Sequence, residues 1–168
     1  AIIGFTFLII MGELDMSVGS MFCFGGTLMG IFCNTYDMPA GPAIALAMVI
    51  AGVIGFVSGF LITKFRLNSM MVTIGVMLAV KGYNWMMITR MTGRQLPREA
   101  RSFVMNKVGN ISWVIILMVV LAVILEILLN KSRYFKQMYY VGHNMETTIL
   151  YGIKASKVKI VCFVVSAM

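Results

Sequence analysis

The sequence is poor in acidic residues, in histidine and in cysteine motifs, and each shortage excludes a class of function. Its 168 residues include six Asp or Glu, three Cys and one His. A single histidine, His143, rules out a two-His zinc site, and cysteines without CxxC or CxxH spacing are typical of small packing residues. No P-loop, Rossmann fingerprint or HExxH motif is present. We therefore expect no catalytic residue, no metal and no cofactor, and the chain is not predicted to be an enzyme.

Long apolar runs are abundant. The chain is 60% hydrophobic, and residues 111–130 carry one charge. Twenty residues form a helix of roughly 30 Å, the thickness of the bilayer core. No run alternates with a strand period, so the sequence predicts an all-α, polytopic transmembrane bundle, with 1–168 as a single domain. Because the chain starts and stops inside apolar runs, we expect a fragment of a longer protein. The other runs are 1–11, 16–33, 42–63, 69–89 and 157–168.

Positive charge is concentrated at the ends of these runs. The net charge is +8, but this clustering is typical of topology signals and lipid headgroup contacts, and nucleic-acid binding is not expected. Six Lys or Arg follow within 29 residues of position 130, which predicts a cytoplasmic segment there. Alternation then gives eight Lys or Arg inside and five outside, in the loop 90–110.

Residues 12–20 place two carboxylates inside an apolar stretch. Glu13 and Asp15 are expensive in lipid unless they meet water, a cation or backbone N–H groups. Asp15 and Ser17 are good N-cap residues, and we expect Asp15 to cap a helix that starts near Met16. The pattern predicts either a helix broken at a membrane-embedded point, as on transporter substrate paths, or a capped turn at the membrane surface.

Lys81 is a charge in the middle of an apolar run. An ammonium there costs roughly 2.5–3.5 kcal/mol on insertion scales, so Lys81 should snorkel or pair with Glu13 or Asp15. Together with Ser17, these residues are the predicted substrate pathway.

Small residues recur every four positions between 43 and 59. On a helix they form a ridge that lets a neighbouring backbone approach. The ridge indicates either packing within one subunit or a seam between subunits. Its members are Ala43, Ala47, Ala51, Gly55 and Gly59.

The polar segment 131–156 is the largest on the predicted cytoplasmic side. Within it, Met145–Tyr151 is a short amphipathic stretch, which is suited to pressing into a groove on a soluble partner; the alternative is an interfacial linker. Gly142 and Asn144 are turn formers, and His143 is expected at a turn.

Several motifs together resemble one family. Residues 12–20 resemble the G-G-I-D-L-S-V-G-S signature of the permease subunits of ribose-type ABC sugar importers. Residues 133–153 resemble that family's G-R-Y…A-x-G-G-N-E-x-A-A-x-x-S-G-I loop, and residues 63–67 its V-T-K-x-R-[LV] turn. The chain departs from the family at Glu13, Ser132 and His143, where the family has glycine, and at Thr147-Thr148, where it has alanine.

The resemblance implies a permease in the bacterial inner membrane that moves a ribose-like sugar. It implies a second permease subunit, homo- or heterodimeric, a cytoplasmic ATPase that pushes on a coupling loop at 131–156, and an extracytoplasmic sugar-binding protein. The alternatives are a branched-chain amino-acid permease or a membrane scaffold. We expect Arg94, Arg98 and Arg101 to dock the binding protein. The residues expected at the ATPase are Arg133, Tyr134, Tyr140, Gly142, His143, Asn144, Glu146, Leu150 and Gly152.

Overall fold

The computed structural model is mostly helical in the residues that it describes, which are 2–90, 107–108, 111–131, 133–143, 148 and 155–168. Among these, the helices Val18–Thr35, Ala40–Phe65 and Ser69–Arg90 are long and apolar enough to cross a membrane, which confirms the predicted transmembrane helix bundle. A short antiparallel hairpin, which was not predicted, pairs Lys107–Val108 with Ile111–Ser112. The elements are α1 (Ile2–Ile10), α2 (Val18–Thr35), α3 (Ala40–Phe65), α4 (Ser69–Arg90), β1 (Lys107–Val108), β2 (Ile111–Ser112), α5 (Trp113–Lys131), α6 (Arg133–His143) and α7 (Ala155–Ala167).

The turn between α3 and α4 is short because its residues supply both helix ends. Arg66 follows α3 in the left-handed conformation, with φ of 52°. Asn68 then caps α4, since its side-chain oxygen accepts the backbone N–H of Met70 at 2.9 Å. This tight turn sets α3 and α4 side by side at the end that carries Lys64 and Arg66.

Helix α7 packs on the small-residue ridge of α3. A Cβ built on Gly55 would lie 2.6 Å from the carbonyl oxygen of Phe163, and one on Gly59 would lie 3.0 Å from the Cα of Ile160. As the residue number rises along α3, the number of the contacted residue on α7 falls, so the two helices are antiparallel. The expectation that the ridge packs within one subunit is confirmed for these two glycines.

The other side of α7 packs against α1. A Cβ on Gly4 would lie 2.5 Å from the Cα of Ser166, so these two backbones are also in close contact. The core at this junction joins residues of α1, α3, α6 and α7. They are Phe7, Leu8, Met11, Ile62, Met138, Val141, Ala155, Cys162 and Phe163.

A second core lies where α2 packs on α3 and α4. The Phe24 ring meets the Tyr83 ring edge-on, with centroids 5.8 Å apart. The buried residues of this core are Met21, Phe24, Leu28, Ala47, Ala51, Val80 and Ala167.

Helix α6 corrects one expectation. The segment 131–156 was predicted as a loop with turn formers at Gly142 and Asn144 and a helix at Met145–Tyr151. Where a loop was expected, the structure forms a helix over Arg133–His143, and His143 is its last residue rather than part of a turn. Most of Met145–Tyr151 lies outside the described residues, but the Thr148 hydroxyl donates to the Tyr140 carbonyl at 2.8 Å, which satisfies one of the free carbonyls at the end of α6.

Helix α5 differs from the bundle in its surroundings. Its described side chains between Ile115 and Ile127 are largely exposed, and its main contacts are with β2 and α6. An apolar helix exposed in this way is suited to lipid or to another helix.

Candidate solute pathway at the α1–α2 junction

The end of α1 is a Schellman motif built on Gly12. The N–H of Glu13 donates to the Leu8 carbonyl and the N–H of Gly12 to the Ile9 carbonyl, both at 2.9 Å. This pattern needs a left-handed residue after the helix, and Gly12 has φ of +73°. The motif stops α1 and turns the chain toward α2.

Asp15 lies buried in the turn that follows. Its Oδ1 accepts the backbone N–H of Ser17 at 2.8 Å and the Ser17 hydroxyl at 2.6 Å. Its Oδ2 accepts the hydroxyl of Ser166 on α7 at 3.0 Å. Three donors therefore replace the water that this carboxylate would need, and only 5% of Asp15 is exposed.

The helix-capping prediction was wrong in its position. Asp15 was expected to cap a helix starting near Met16, but α2 begins at Val18 with Ser17 at its N-cap position. The aspartate instead holds the N–H of that N-cap residue, which orients the turn ahead of the helix.

Glu13 forms an ion pair with Lys159 on α7. The two side chains are 14% and 15% exposed, respectively, so the pair is largely shielded from solvent. A second contact thus ties the α1–α2 junction to α7, two helical turns from the Asp15–Ser166 bond.

The junction begins at the end of the bundle that carries the α3–α4 turn. Leu14 bonds to Ser69, the first residue of α4, and Glu13 pairs with Lys159, near the start of α7. Asp15 bonds to Ser166, which lies roughly 10 Å of helix further along α7. Both expectations for residues 12–20, a membrane-embedded break and a capped turn at the membrane surface, therefore stay open.

Hydroxyl groups of α4 complete the polar surroundings of the junction. The Leu14 N–H donates to the Ser69 hydroxyl at 3.4 Å, and the Met16 N–H to the Thr73 hydroxyl at 3.1 Å. These bonds take up backbone groups that no helix uses. Beside them is a polar cavity of about 360 Å³, lined by Gly12, Glu13, Leu14, Leu67, Asn68, Ser69 and Met70.

The expected pairing of Lys81 with a carboxylate is wrong. Glu13 pairs with Lys159, and no ion pair joins Lys81 to Glu13 or Asp15 within this described part of the bundle. Lys81 is exposed and lies eight residues, or roughly 12 Å of helix, beyond Thr73. The structure therefore brings together three of the four predicted pathway residues and leaves Lys81 apart.

A model of the family described as "Branched-chain amino acid transport system / permease component" matches residues 1–168, the whole chain. The chain belongs to this permease family. No solved structure matches it significantly.

Curated relatives of the permease carry solute names that differ from one another. The chain is 31% identical to an L-arabinose ABC transporter permease protein of Azospirillum brasilense, over 96% of this chain and 48% of the relative. It is 23% identical to a fructose import permease protein of Rhizobium meliloti, over 97% and 48%. It is 25% identical to an autoinducer 2 import system permease protein of Yersinia enterocolitica, over 96% and 44%. The permease chain spans about half the length of these relatives.

The family and the apolar helices together place the permease in the bacterial inner membrane. Another relative, from Escherichia coli, is an inner membrane ABC transporter permease protein, 25% identical over 98% of this chain. The three apolar helices of spanning length in the described residues agree with that location.

The predicted coupling residues of the permease are only partly described. Arg133 and Tyr134 lie in the first turn of α6, Tyr140 is exposed on its last turns, and Gly142 and His143 end it. Asn144, Glu146, Leu150 and Gly152 lie outside the described residues, as do the predicted docking residues Arg94, Arg98 and Arg101.

Sequence reasoning missed the partners of the two carboxylates. Lys159 was counted only as a topology charge, although it and Lys157 are the two cations at the start of the last apolar run. Ser166, Ser69 and Thr73 gave no signal, because isolated hydroxyls are common in apolar helices. Asn84 was also missed. Its amide donates to the Ser20 carbonyl at 3.4 Å, while its buried Oδ1 has no partner in the described part of the chain.

Proposed function

We propose that this chain is part of the translocation pathway of an ABC importer for a monosaccharide, with a ribose-like sugar as the expected solute. The observation that carries the proposal is the α1–α2 junction. At this helix break Asp15 accepts a hydroxyl from α7, Glu13 pairs with Lys159, and the turn backbone bonds to a hydroxyl of α4. A break lined by polar groups suits a solute rich in hydroxyls, because each hydroxyl both donates and accepts hydrogen bonds.

The relatives support a sugar more than an amino acid. Arabinose and fructose permeases are among them, and autoinducer 2 widens the range of solutes named. The family description, which names branched-chain amino acids, supports the second candidate function, a branched-chain amino-acid permease.

The proposed assembly has four further parts. A second permease subunit completes the pathway, a cytoplasmic ATPase contacts α6 and the segment after it, an extracytoplasmic sugar-binding protein docks on the outer loop at Arg94, Arg98 and Arg101, and the bilayer surrounds the helices. Tyr139 and Tyr140, which are 52% and 59% exposed, support the ATPase contact because large aromatic side chains on a surface are common in interfaces.

Uptake into liposomes tests the proposal. The complete transporter, reconstituted with its ATPase and binding protein, is offered radiolabelled L-arabinose, D-fructose, D-ribose and L-leucine in turn. We expect ATP-dependent uptake of at least one sugar and none of leucine. Uptake of leucine alone would favour the amino-acid permease, and uptake of none of the four would contradict import of these solutes.

A further inference from the structure

Helix α6 is in direct contact with the backbone at the end of α1, next to the α1–α2 junction. A Cβ built on Gly142 would lie 2.1 Å from the Ile10 carbonyl oxygen and 3.0 Å from the Met11 Cα. Gly142 is helical, so its role is close approach rather than the positive φ that its predicted turn position implied. Backbone meets backbone here, with no flexible side chain between them to absorb a movement.

The two faces of α6 have different surroundings. Met138 and Val141 are 6% and 4% exposed and pack with Phe7, Leu8 and Met11 in one core. Tyr139 and Tyr140 face away from that core and are more than half exposed. One face is thus fixed to the end of α1, and the other is open to a partner.

The chain immediately after this contact is tied to α7. Gly12 follows Met11 in the left-handed conformation, and Glu13 follows with its ion pair to Lys159. Asp15 then accepts a hydrogen bond from the Ser166 hydroxyl. The last turn of α1 therefore lies between α6 on one side and two polar links to α7 on the other.

We propose that α6 acts on the pathway through this contact: displacement of its C-terminal end moves the last turn of α1 about Gly12 and opens or closes the Glu13–Lys159 ion pair. The proposal rests on the proposed function, since an ATPase must supply the displacement. Lys159 and Gly142 are then positioning residues that couple ATP hydrolysis to the junction. A packed core transmits such shifts because it moves between discrete arrangements instead of deforming continuously.

The first test is Gly142→Ala in the complete transporter, reconstituted with its ATPase and binding protein. The readout is the number of molecules of transported sugar, the wild type's substrate from the uptake panel, per ATP hydrolysed. We expect this ratio to fall about two- to thirtyfold, the range of coupling energies measured along contact networks. The matched control is Gly75→Ala on α4, where an added Cβ meets nothing within 4 Å, and its ratio should equal that of the wild type.

The second test is a charge exchange, which remains informative if Gly142→Ala fails to fold. Glu13→Lys and Lys159→Glu should each lower the ratio, and the double variant should restore much of it, because the ion pair is re-formed with its signs reversed. Lys157→Glu, at an exposed position two residues away, is the control and should leave the ratio unchanged. A merely structural role would change the melting temperature without this rescue of coupling.

The outcomes separate the two proposals. A wild type that imports no sugar overturns the proposed function. A wild type that imports sugar, with Gly142→Ala and both charge variants coupled as tightly as the controls, overturns the contact as the route of coupling while leaving the function intact.

Discussion

The carboxylates at the α1–α2 junction and the ammonium of Lys81 show two fates of charge in an apolar chain. Glu13 and Asp15 lie in a turn, where free backbone N–H groups and neighbouring helices converge, and both have partners. Lys81 lies in the continuous helix α4, where the backbone groups are already bonded, and it is exposed without an ion pair among the described residues. A break in a helix therefore supplies partners to a charge, whereas a helix interior offers only the reach of the side chain.

Asp15 gives the largest expected effect and the sharpest test of this comparison. Asp15→Leu leaves the Ser17 N–H and two hydroxyls without their acceptor, which should destabilise the bundle by about 3 kcal/mol. Asp15→Asn keeps an oxygen at Oδ1 and should cost only ~1 kcal/mol. Thermal unfolding of the purified transporter in detergent measures both. Equal losses for Leu and Asn would show that the acceptor oxygen is unimportant.

Lys159 should have an intermediate effect. Lys159→Gln removes the partner of Glu13, and breaking a buried pair costs about 3–5 kcal/mol. Because both side chains retain some exposure, we expect a loss of ~1–2 kcal/mol, reduced by solvent screening. The same thermal measurement applies, with Lys157→Gln as the exposed control. A Lys159→Gln variant as stable as that control would remove the ion pair from the comparison.

Lys81 should have the smallest effect. Lys81→Gln should change stability by less than about 0.5 kcal/mol, as exposed substitutions usually do, because no described residue depends on its charge. A loss as large as that of Lys159→Gln would mean that Lys81 has a partner in the complete transporter, and the contrast between helix break and helix interior would then fail.

Much of the fold could be predicted from the sequence, because apolar runs and their polar ends determine where membrane helices lie. The run 42–63 is α3 with a few residues added at each end, and 69–89 is α4 with one residue added. The packing of the ridge on a neighbouring helix was also predictable, since only small residues permit that approach.

The identity of the partners was beyond the sequence. Glu13 and Lys159 are 146 residues apart, and nothing in the local pattern distinguishes Lys159 from Lys81 as a partner. The antiparallel packing of α7 on α3 and α1 brings Lys159 to Glu13, and that packing is a tertiary contact that no local pattern shows. Helix α6 was missed for a different reason: its Gly142 suggested a turn, whereas the glycine serves a close contact with α1.

The separation of these partners along the chain also has a consequence for synthesis. Asp15 and Ser166 are 151 residues apart, and translation at about 5–20 residues per second takes roughly 8–30 s to cover that distance. During this interval α2 to α6 are made, yet the groups on α7 that receive Glu13 and Asp15 do not exist for most of it. The α1–α2 junction therefore reaches its final arrangement only after α7 enters the membrane, so the assembly of this junction is timed by a helix that is made well after it.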